Sequence, residues 1–519
     1  MAMRMADYFD ATAQALPHNE AFVDDERRVD YATAQRFVHA VANALVREPD
    51  LPAGSHIGVY SPNLATVSLL QLGINRADRA WVLVHTRNAP QTNAQVLAFA
   101  DTRLIFFHSS FEAAIAVIRA ALPPSVKYVC MDRQSEFGPA LESWLDGSWR
   151  PFAAVQEDPL ATAFISPTGG TTGPHKTVVH AHRSIEISAH AVNDTLSLGP
   201  DSRQLIVAPL THAAGFFALS FLLRGSTNVI LPGFDLDRVL ATIAKEKITH
   251  TYLPPTAIYA LLAHPAVRTS DLSSLRCIVV GGAPVVPAKF KEAVSVFGPI
   301  LYEMYGQTET LAPITVKRPS DCIRSDGSFD EAVLRSAGRS AGYARVEIVD
   351  DQGCPVPPGQ PGEIVVMSSM IMRGYYNMPR ETEEAARHGW HHTTDVGVRD
   401  ERGFITIVDR LKDVIISGGF NIYPSEIEAA IGELEPIQEC SVIGVPDEKW
   451  GESIKAVIQL KPGRTVSAET VIDHCKSKLG GLKVPRSIEF WPDLPRSPVG
   501  KVLKRDIRQK FWAGQWRAV

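Results

Sequence analysis

Residues 161–177 read ATAFISPTGGTTGPHKT: a short apolar run, then a loop that packs three glycines, four threonines and one lysine into the ten residues Thr168 to Thr177. The run ATAFIS reads as a strand. A loop of this composition presents backbone N–H groups, hydroxyls and one ammonium together, the chemistry that holds a polyphosphate. It is not a Walker loop, because His175 rather than glycine precedes Lys176, and the Gly-x-Gly-x-x-Gly dinucleotide pattern is absent. Taken alone, the stretch reads equally well as an ordinary glycine-rich turn.

Downstream, from Thr162 to about Glu309, apolar runs rich in β-branched residues alternate with helical patterns: RQLIVAPL, STNVILPG, LDRVLATIAKEK, ITHTYLPP and LRCIVVGGAP. That alternation predicts an α/β layered core, and the nearly unbroken apolar character of the runs predicts strands covered on both faces. Ligands should then gather at strand ends. Upstream, the helical YATAQRFVHAVANALV and the strand-like HIGVYSP and TRLIFF extend the same unit. Around residue 350, VEIVDDQGCPVPPGQPGEIVVMS sets turn signals between two alternating strands and predicts a β-rich subdomain. After DRLKDVIISGGFNIYP comes an α+β pattern: helix SEIEAAIGEL, strands CSVIGVP and SIKAVIQL, helix AETVIDHCKSKL and a basic final helix. The expected division is a large N-terminal domain over 1–410 and a small C-terminal α+β domain over 411–519.

A length of 519 residues with 45% hydrophobic composition supports a large core and excludes a disordered or fibrous chain. A net charge of −5 leaves no cationic excess for a nucleic acid backbone. The six cysteines form no Cys-x-x-Cys pair in a chain too long to need disulfide staples, which fits reduced thiols in a cytoplasm. MAMRMADYFDATAQ develops no apolar signal core, and no stretch approaches the roughly 18 apolar residues of a membrane span.

Further motifs follow the loop in a fixed order: PLTHAAG at 209–215, GGAP at 281–284, YGQTE at 305–309, TTDVG at 393–397, DRLKDVIISGGFNIYPSEIE at 409–428 and PRSPVGKVLKR at 495–505. Together they resemble the adenylate-forming superfamily of acyl-CoA synthetases, carrier-protein adenylation domains and firefly-type luciferases. The resemblance runs from the Tyr31 region to Arg505, and its specificity lies in the ordered set rather than in any single motif.

The resemblance implies ATP, Mg²⁺ and coenzyme A as cosubstrates and cofactor of a carboxylate activation. In that reading Thr168, Gly169, Gly170, Thr171, Thr172, Gly173 and Lys176 cradle the phosphates that leave as pyrophosphate, with Thr172 and Lys176 taking part in catalysis. Glu309 binds Mg²⁺, for which one carboxylate and several waters is normal. Thr308 bonds the α-phosphate, and Tyr305 flanks the adenine with Gly306 and Gln307 beside it. Gly281, Gly282, Ala283 and Pro284 line the other side, while Asp395 and Arg410 hold the ribose hydroxyls. Lys501 matches the catalytic lysine of the mobile domain, Lys412 the hinge, and Gly418 and Gly419 the wall of a pantetheine tunnel. His212 corresponds to a gate at the base of the acyl pocket, with proton transfer to or from the thiol as its second reading.

Singly, each of these residues has a plainer reading. Tyr305 is a core aromatic, Asp395 and Arg410 a solvated turn pair, Glu309 a surface or capping carboxylate, Lys412 and Lys501 surface lysines, and Gly418–Gly419 a turn. His180 and His182 form a His-x-His read as lying on a strand, and with His391 and His392 they read as solvated or packing residues rather than metal ligands.

The chain departs from the family loop, which reads Thr-Ser-Gly-Thr-Thr-Gly-x-Pro-Lys-Gly, at Gly169, His175 and Thr177. One hydroxyl of the cradle is lost while the spacing and Lys176 survive. Where amino acid-activating relatives carry an aspartate, this chain has Phe216, Phe217, Ala218 and Leu219, which points to a simple carboxylic acid: fatty, alicyclic or aromatic. The acyl pocket is expected near Phe216, Ala283 and Leu311. The expected activity is therefore that of an AMP-forming acyl-CoA synthetase. The alternatives are a ligase loading a carrier protein in trans, a phosphoryl-transfer enzyme releasing ADP, and a non-catalytic binding homologue. Homodimer assembly stays open.

Overall fold

The computed structural model describes residues 3–24, 27–153, 158–167, 176–211, 213–496 and 502–512. The described residues divide into two units, one of those up to 346 together with 366–391, the other of 347–365 and those from 392 onward.

Two mixed sheets form the first unit. Among the described residues, one has seven strands in the order Gly374–Tyr375, Thr177–Ala181, Thr162–Pro167, Ala80–Leu83, His56–Tyr60, Thr102–Phe107 and Lys127–Cys130. Its strands from Thr162–Pro167 to Lys127–Cys130 run parallel, and Thr177–Ala181 turns back antiparallel beside Thr162–Pro167. The other sheet has nine strands, with Leu301–Gln307, Cys277–Gly281, His250–Leu253, Arg203–Ile206 and Thr227–Ile230 parallel at its centre. Ala80–Leu83, Thr227–Ile230 and Cys277–Gly281 are buried at every position. For Ala80–Leu83 and Cys277–Gly281 this is the burial their apolar sequences predict, whereas Thr227–Ile230 buries two polar residues, with Thr227 Oγ1 donating to Glu20 O and the Asn228 amide donating to Ala218 O.

The helices begin where the sequence supplies a cap. Asp30 accepts from the Thr33 N–H at 2.7 Å to open Tyr31–Arg47, and Asp235 accepts from Arg238 N–H at 2.9 Å to open Leu236–Glu246. A small departure concerns the His-x-His pair. His180 lies on strand Thr177–Ala181, but His182 begins the helix His182–Leu196; both are buried, the packing half of the expectation.

The second unit carries most of a four-stranded sheet of Arg345–Val349, Pro361–Met367, His391–Arg399 and Ile405–Arg410, the β-rich stretch expected near residue 350. It also holds a sheet in which the long hairpin Ile437–Asp447/Gly451–Leu460 is joined by Ile415–Ser417, Phe420–Ile422 and, in parallel, Ser487–Phe490. Helices Pro424–Gly432 and Ala468–Leu479 close a core of Ile415, Ile422, Ile427, Ile431, Ile454 and Val471.

Candidate active site

Three of the sequence motifs leave the nine-stranded sheet at the same edge. PLTHAAG follows Arg203–Ile206, GGAP ends Cys277–Gly281, and YGQTE ends Leu301–Gln307, all C-terminal ends of parallel strands. Gly281 stands opposite Met304, so Gly282 and Tyr305 leave adjacent strands side by side. Such an edge is where an open α/β sheet collects ligands.

Each loop is held by specific bonds. The Asn63 amide donates to Ala208 O at 2.9 Å and accepts from Leu210 N–H at 2.9 Å, clamping the loop that precedes helix Ala213–Leu222. A Cβ on Gly215 would sit 2.1 Å from Leu210 O, so only glycine closes that turn. Phe216 is half-buried, its ring edge-on to Phe164 at 4.9 Å and tilted to Trp81 at 6.3 Å. Leu311 is buried at 5% exposure, whereas Gly282, Ala283 and Pro284 are exposed, with Gly282 at φ +83°.

The turn Thr308–Glu309–Thr310 joins Leu301–Gln307 to the antiparallel Leu311–Lys317. Gly306 fits because a Cβ would meet Leu311 O at 2.2 Å, and the Gln307 N–H bonds Thr310 Oγ1 at 3.0 Å. At the root of this hairpin, Glu303 and Lys317 are register partners and form a buried ion pair at 3.0 Å. Burial pushes the Glu303 carboxyl up, and Lys317 also donates to Leu334 O and Ser336 O. A buried pair satisfied in this way fixes geometry more than it adds stability.

The hairpin tip meets the seven-stranded sheet. His180 Nε2 lies 2.6 Å from Thr308 O, and since a carbonyl only accepts, Nε2 carries the proton. Burial lowers the His180 pKa to about 4, which keeps the ring neutral. Phe164 stands between His180 and Trp81 in the strand register, so one aromatic row runs from the Phe216 side to Thr308. The Glu309 carbonyl accepts from Met372 N–H at 2.7 Å, and Tyr375 Oη donates to Glu309 Oε1 at 3.0 Å. Burial and the Glu309 charge push the Tyr375 phenol well above its ordinary value. Lys176, exposed at the start of Thr177–Ala181, places its ammonium 4.8 Å from the Tyr375 ring centre.

In the second unit, Asp395 and Arg410 are register partners on adjacent antiparallel strands, with Asp395 Oδ1 2.6 Å from Arg410 Nε. Asp395 is 4% exposed while Arg410 is exposed, and both lie on strands, so the pair is half-buried and is not a turn. The preceding residues are braced: Thr393 Oγ1 donates to Ile364 O at 2.7 Å, and Glu363 accepts from Thr394 N–H at 3.0 Å and contacts His392 Nδ1 at 2.8 Å. Lys412 is exposed on the short turn Leu411–Asp413, whose carbonyl and Asp413 carboxylate both take bonds from Arg508. Gly418 and Gly419, at φ +60° and +84°, form the two-residue turn between Ile415–Ser417 and Phe420–Ile422.

Thr168, Gly169, Gly170, Thr171, Thr172, Gly173, His212 and Lys501 lie outside the described residues. Sequence reading passed over Tyr375, His180 as a brace for Thr308, and the Glu303–Lys317 pair. Only the run RGYYN, with adjacent tyrosines at a strand edge, hinted at the first.

The family model for the AMP-binding enzyme matches residues 9–376. The chain belongs to the AMP-binding enzyme family. The model for the AMP-binding enzyme C-terminal domain matches residues 426–501. The chain is 34% identical over 413 residues to the medium/long-chain-fatty-acid–CoA ligase FadD8 of Mycobacterium tuberculosis, covering 77% of this chain and 68% of that one. It is 32% identical over 504 residues to a feruloyl-CoA synthase of an Amycolatopsis species, covering 96% and 97%. Among solved structures, the amide bond synthetase McbA of Marinactinospora thermotolerans superposes with a TM-score of 0.87 at 30% identity, covering 98% of this chain and all of McbA. Within the AMP-binding enzyme family, the chain is an AMP-forming acid–CoA ligase. Among the described residues no helix is long and apolar enough to cross a membrane.

Proposed function

We propose that this AMP-binding enzyme activates an apolar monocarboxylic acid, whether fatty, alicyclic or aromatic, and passes the acyl group to coenzyme A. The observation that carries the reading is the junction at His180 and Thr308. There the strand leaving the threonine–glycine loop is bonded to the turn that presents Thr308 and Glu309. The half-buried Phe216 against Phe164 and Trp81 supplies an apolar wall, which suits an apolar acid better than one carrying an ammonium group.

Joining a carboxylate to the α-phosphate brings two anions together, so positive charge must stand beside the reacting atoms. The carboxylate oxygen attacks the α-phosphorus, the bond to the β-phosphate oxygen breaks, and pyrophosphate leaves. Lys176 and residues 168–173 hold the departing phosphates, Thr308 holds the α-phosphate, and Tyr305 with residues 281–284 flanks the adenine. Asp395 and Arg410 receive the ribose, where a carboxylate accepts from a pair of hydroxyls. Lys501 steadies the charge that builds on the carboxylate and α-phosphate, and its loss is expected to slow adenylation roughly a hundred- to thousandfold. The thiolate then attacks the acyl carbonyl and AMP leaves, with Gly418 and Gly419 lining the pantetheine path and His212 gating the acyl pocket.

Glu309 fits Mg²⁺. One carboxylate oxygen is engaged by Tyr375, and Oε2 has no protein partner among the described residues, an arrangement suited to a cation that keeps most of its waters. When bound, Mg²⁺ offsets the charge of the β- and γ-phosphates. A division at 410/411 with Lys412 as hinge serves the two reactions in turn.

The test is pyrophosphate release from Mg·ATP with fatty, alicyclic and aromatic acids, with and without coenzyme A, products being identified by mass. AMP, pyrophosphate and an acyl-CoA from one acid class is the expected result. Adenylate without thioester would move the acceptor to a carrier protein or an amine, and ADP as product would overturn the reading.

A further inference from the structure

Tyr375 belongs to none of the motifs that carry the family resemblance, yet it touches both charged groups assigned to the pyrophosphate end of ATP. Its short strand pairs with Thr177–Ala181, placing Tyr375 opposite Val178. Lys176 is two residues from Val178 and is therefore the diagonal neighbour of Tyr375 on the same face. The ring face takes the Lys176 ammonium at 4.8 Å, while the hydroxyl donates to Glu309 Oε1 at 3.0 Å. An aromatic ring can do both at once, because its face is negative and its phenolic edge carries a donor.

The backbone around the side chain is fixed on every side. Met372 N–H donates to Glu309 O at 2.7 Å, Arg373 N–H to Val179 O at 2.8 Å, and Tyr376 N–H to Thr177 O at 2.7 Å. Tyr375 N–H itself donates to Thr382 Oγ1 at 2.9 Å, and Gly374, at φ +150°, lets Thr382 approach to where a Cβ would be 2.6 Å from its Cγ2. Residues 372–376 therefore join the strand that begins after Lys176 to the turn that holds Glu309.

Lys176 and Glu309 are not ion-paired with each other. A direct pair would neutralise both groups and leave neither for phosphate or metal. We propose that Tyr375 is a positioning residue that sets the spacing of Lys176 and Glu309, so that the ammonium and the carboxylate-bound Mg²⁺ meet the same pyrophosphate group. This inference rests on the reading of Lys176 and Glu309 given above.

The experiment is calorimetric binding to the full-length protein, without acid substrate so that no turnover occurs, comparing Mg·ATP with AMP in the absence of metal. AMP lacks the phosphates at issue and serves as the internal control. Tyr375→Phe, which keeps the ring and loses the hydroxyl, is expected to weaken Mg·ATP binding about tenfold while leaving AMP affinity and the melting temperature at wild-type values. Tyr375→Leu, which loses both contacts, is expected to weaken Mg·ATP further. The Mg²⁺ concentration giving half-maximal ATP binding should rise in both.

Glu309→Gln separates the two levels of the inference. If it leaves Mg·ATP binding intact, the assignment of Glu309 fails and the proposal falls with it. If Glu309→Gln weakens binding but Tyr375→Phe binds Mg·ATP like the wild type, the assignment stands and the role of Tyr375 is overturned. Equal weakening of AMP and Mg·ATP in Tyr375→Phe would also overturn it, since a general packing role predicts that pattern.

Discussion

His182 is 1% exposed, and among the described residues neither of its ring nitrogens has a hydrogen-bond partner. Burial first, and Arg4 next, lower its pKa from 6.5 to about 3. His250, 4% exposed in the nine-stranded sheet, is lowered by burial to about 4. Between these values and 6.5 the unfolded chain binds more protons than the folded one, so stability rises with pH across that window. The contribution is complete above pH 6.5 and is lost as the pH falls toward 4 and 3. Melting temperatures measured from pH 7.5 to 4 should drop steadily, and His182→Gln should make the slope shallower. An unchanged slope in that variant would mean that His182 is not the residue titrating. Replacing His180 by alanine should act differently. It strands the Thr308 carbonyl, costs about 1–3 kcal/mol, and slows adenylation more than it slows thioester formation from supplied acyl adenylate.

At the scale of elements, hairpin 415–422 tolerates little change at its turn. Its turn needs positive φ at both Gly418 and Gly419, and a Cβ on Gly418 would lie 2.7 Å from Trp450 Cε3. The Gly418 N–H also donates to Trp450 O at 2.8 Å, so the turn cannot slide away from the indole. Gly418→Ala is therefore expected to destabilise the hairpin by about 2 kcal/mol, read as faster amide hydrogen exchange over 415–422. Because Gly418 is proposed to line the pantetheine path, thioester formation should fall about tenfold or more while pyrophosphate release in the first half-reaction changes little. Equal loss in both half-reactions would remove Gly418 from that path.

For the whole molecule, the proposed mechanism makes two reactions depend on one chain adopting two arrangements. Lys501→Ala should slow adenylation roughly a hundred- to thousandfold yet spare thioester formation from supplied acyl adenylate, whereas Lys412→Pro should do the reverse by stiffening the hinge. Rapid-quench assays of each half-reaction decide this, and loss of only the first step in both variants would overturn the alternation. The Arg508 bonds to Lys412 O and Asp413 anchor the far side of the turn that Lys412 occupies. Disruption there should then resemble Lys412→Pro more than Lys501→Ala.

The α/β class, the order of the motifs and the strands that carry them were legible in the amino-acid sequence, because apolar runs, caps and turn residues are local signals with short periods. RQLIVAPL and LRCIVVGGAP each contain the strand they predict, and the GGF stretch holds the turn that Gly418–Gly419 suggested. The family was legible too, since its chemistry demands particular residues at loops in a set order. Only the tertiary structure decided that GGAP, YGQTE and PLTHAAG leave one sheet edge, that Asp395 and Arg410 face each other across a register, and that His182 belongs to a helix. It alone brought Tyr375 between Lys176 and Glu309, residues far apart in the chain. Strand order and register are set by packing between segments distant in sequence, and no local pattern of residues encodes which distant partner a side chain will meet.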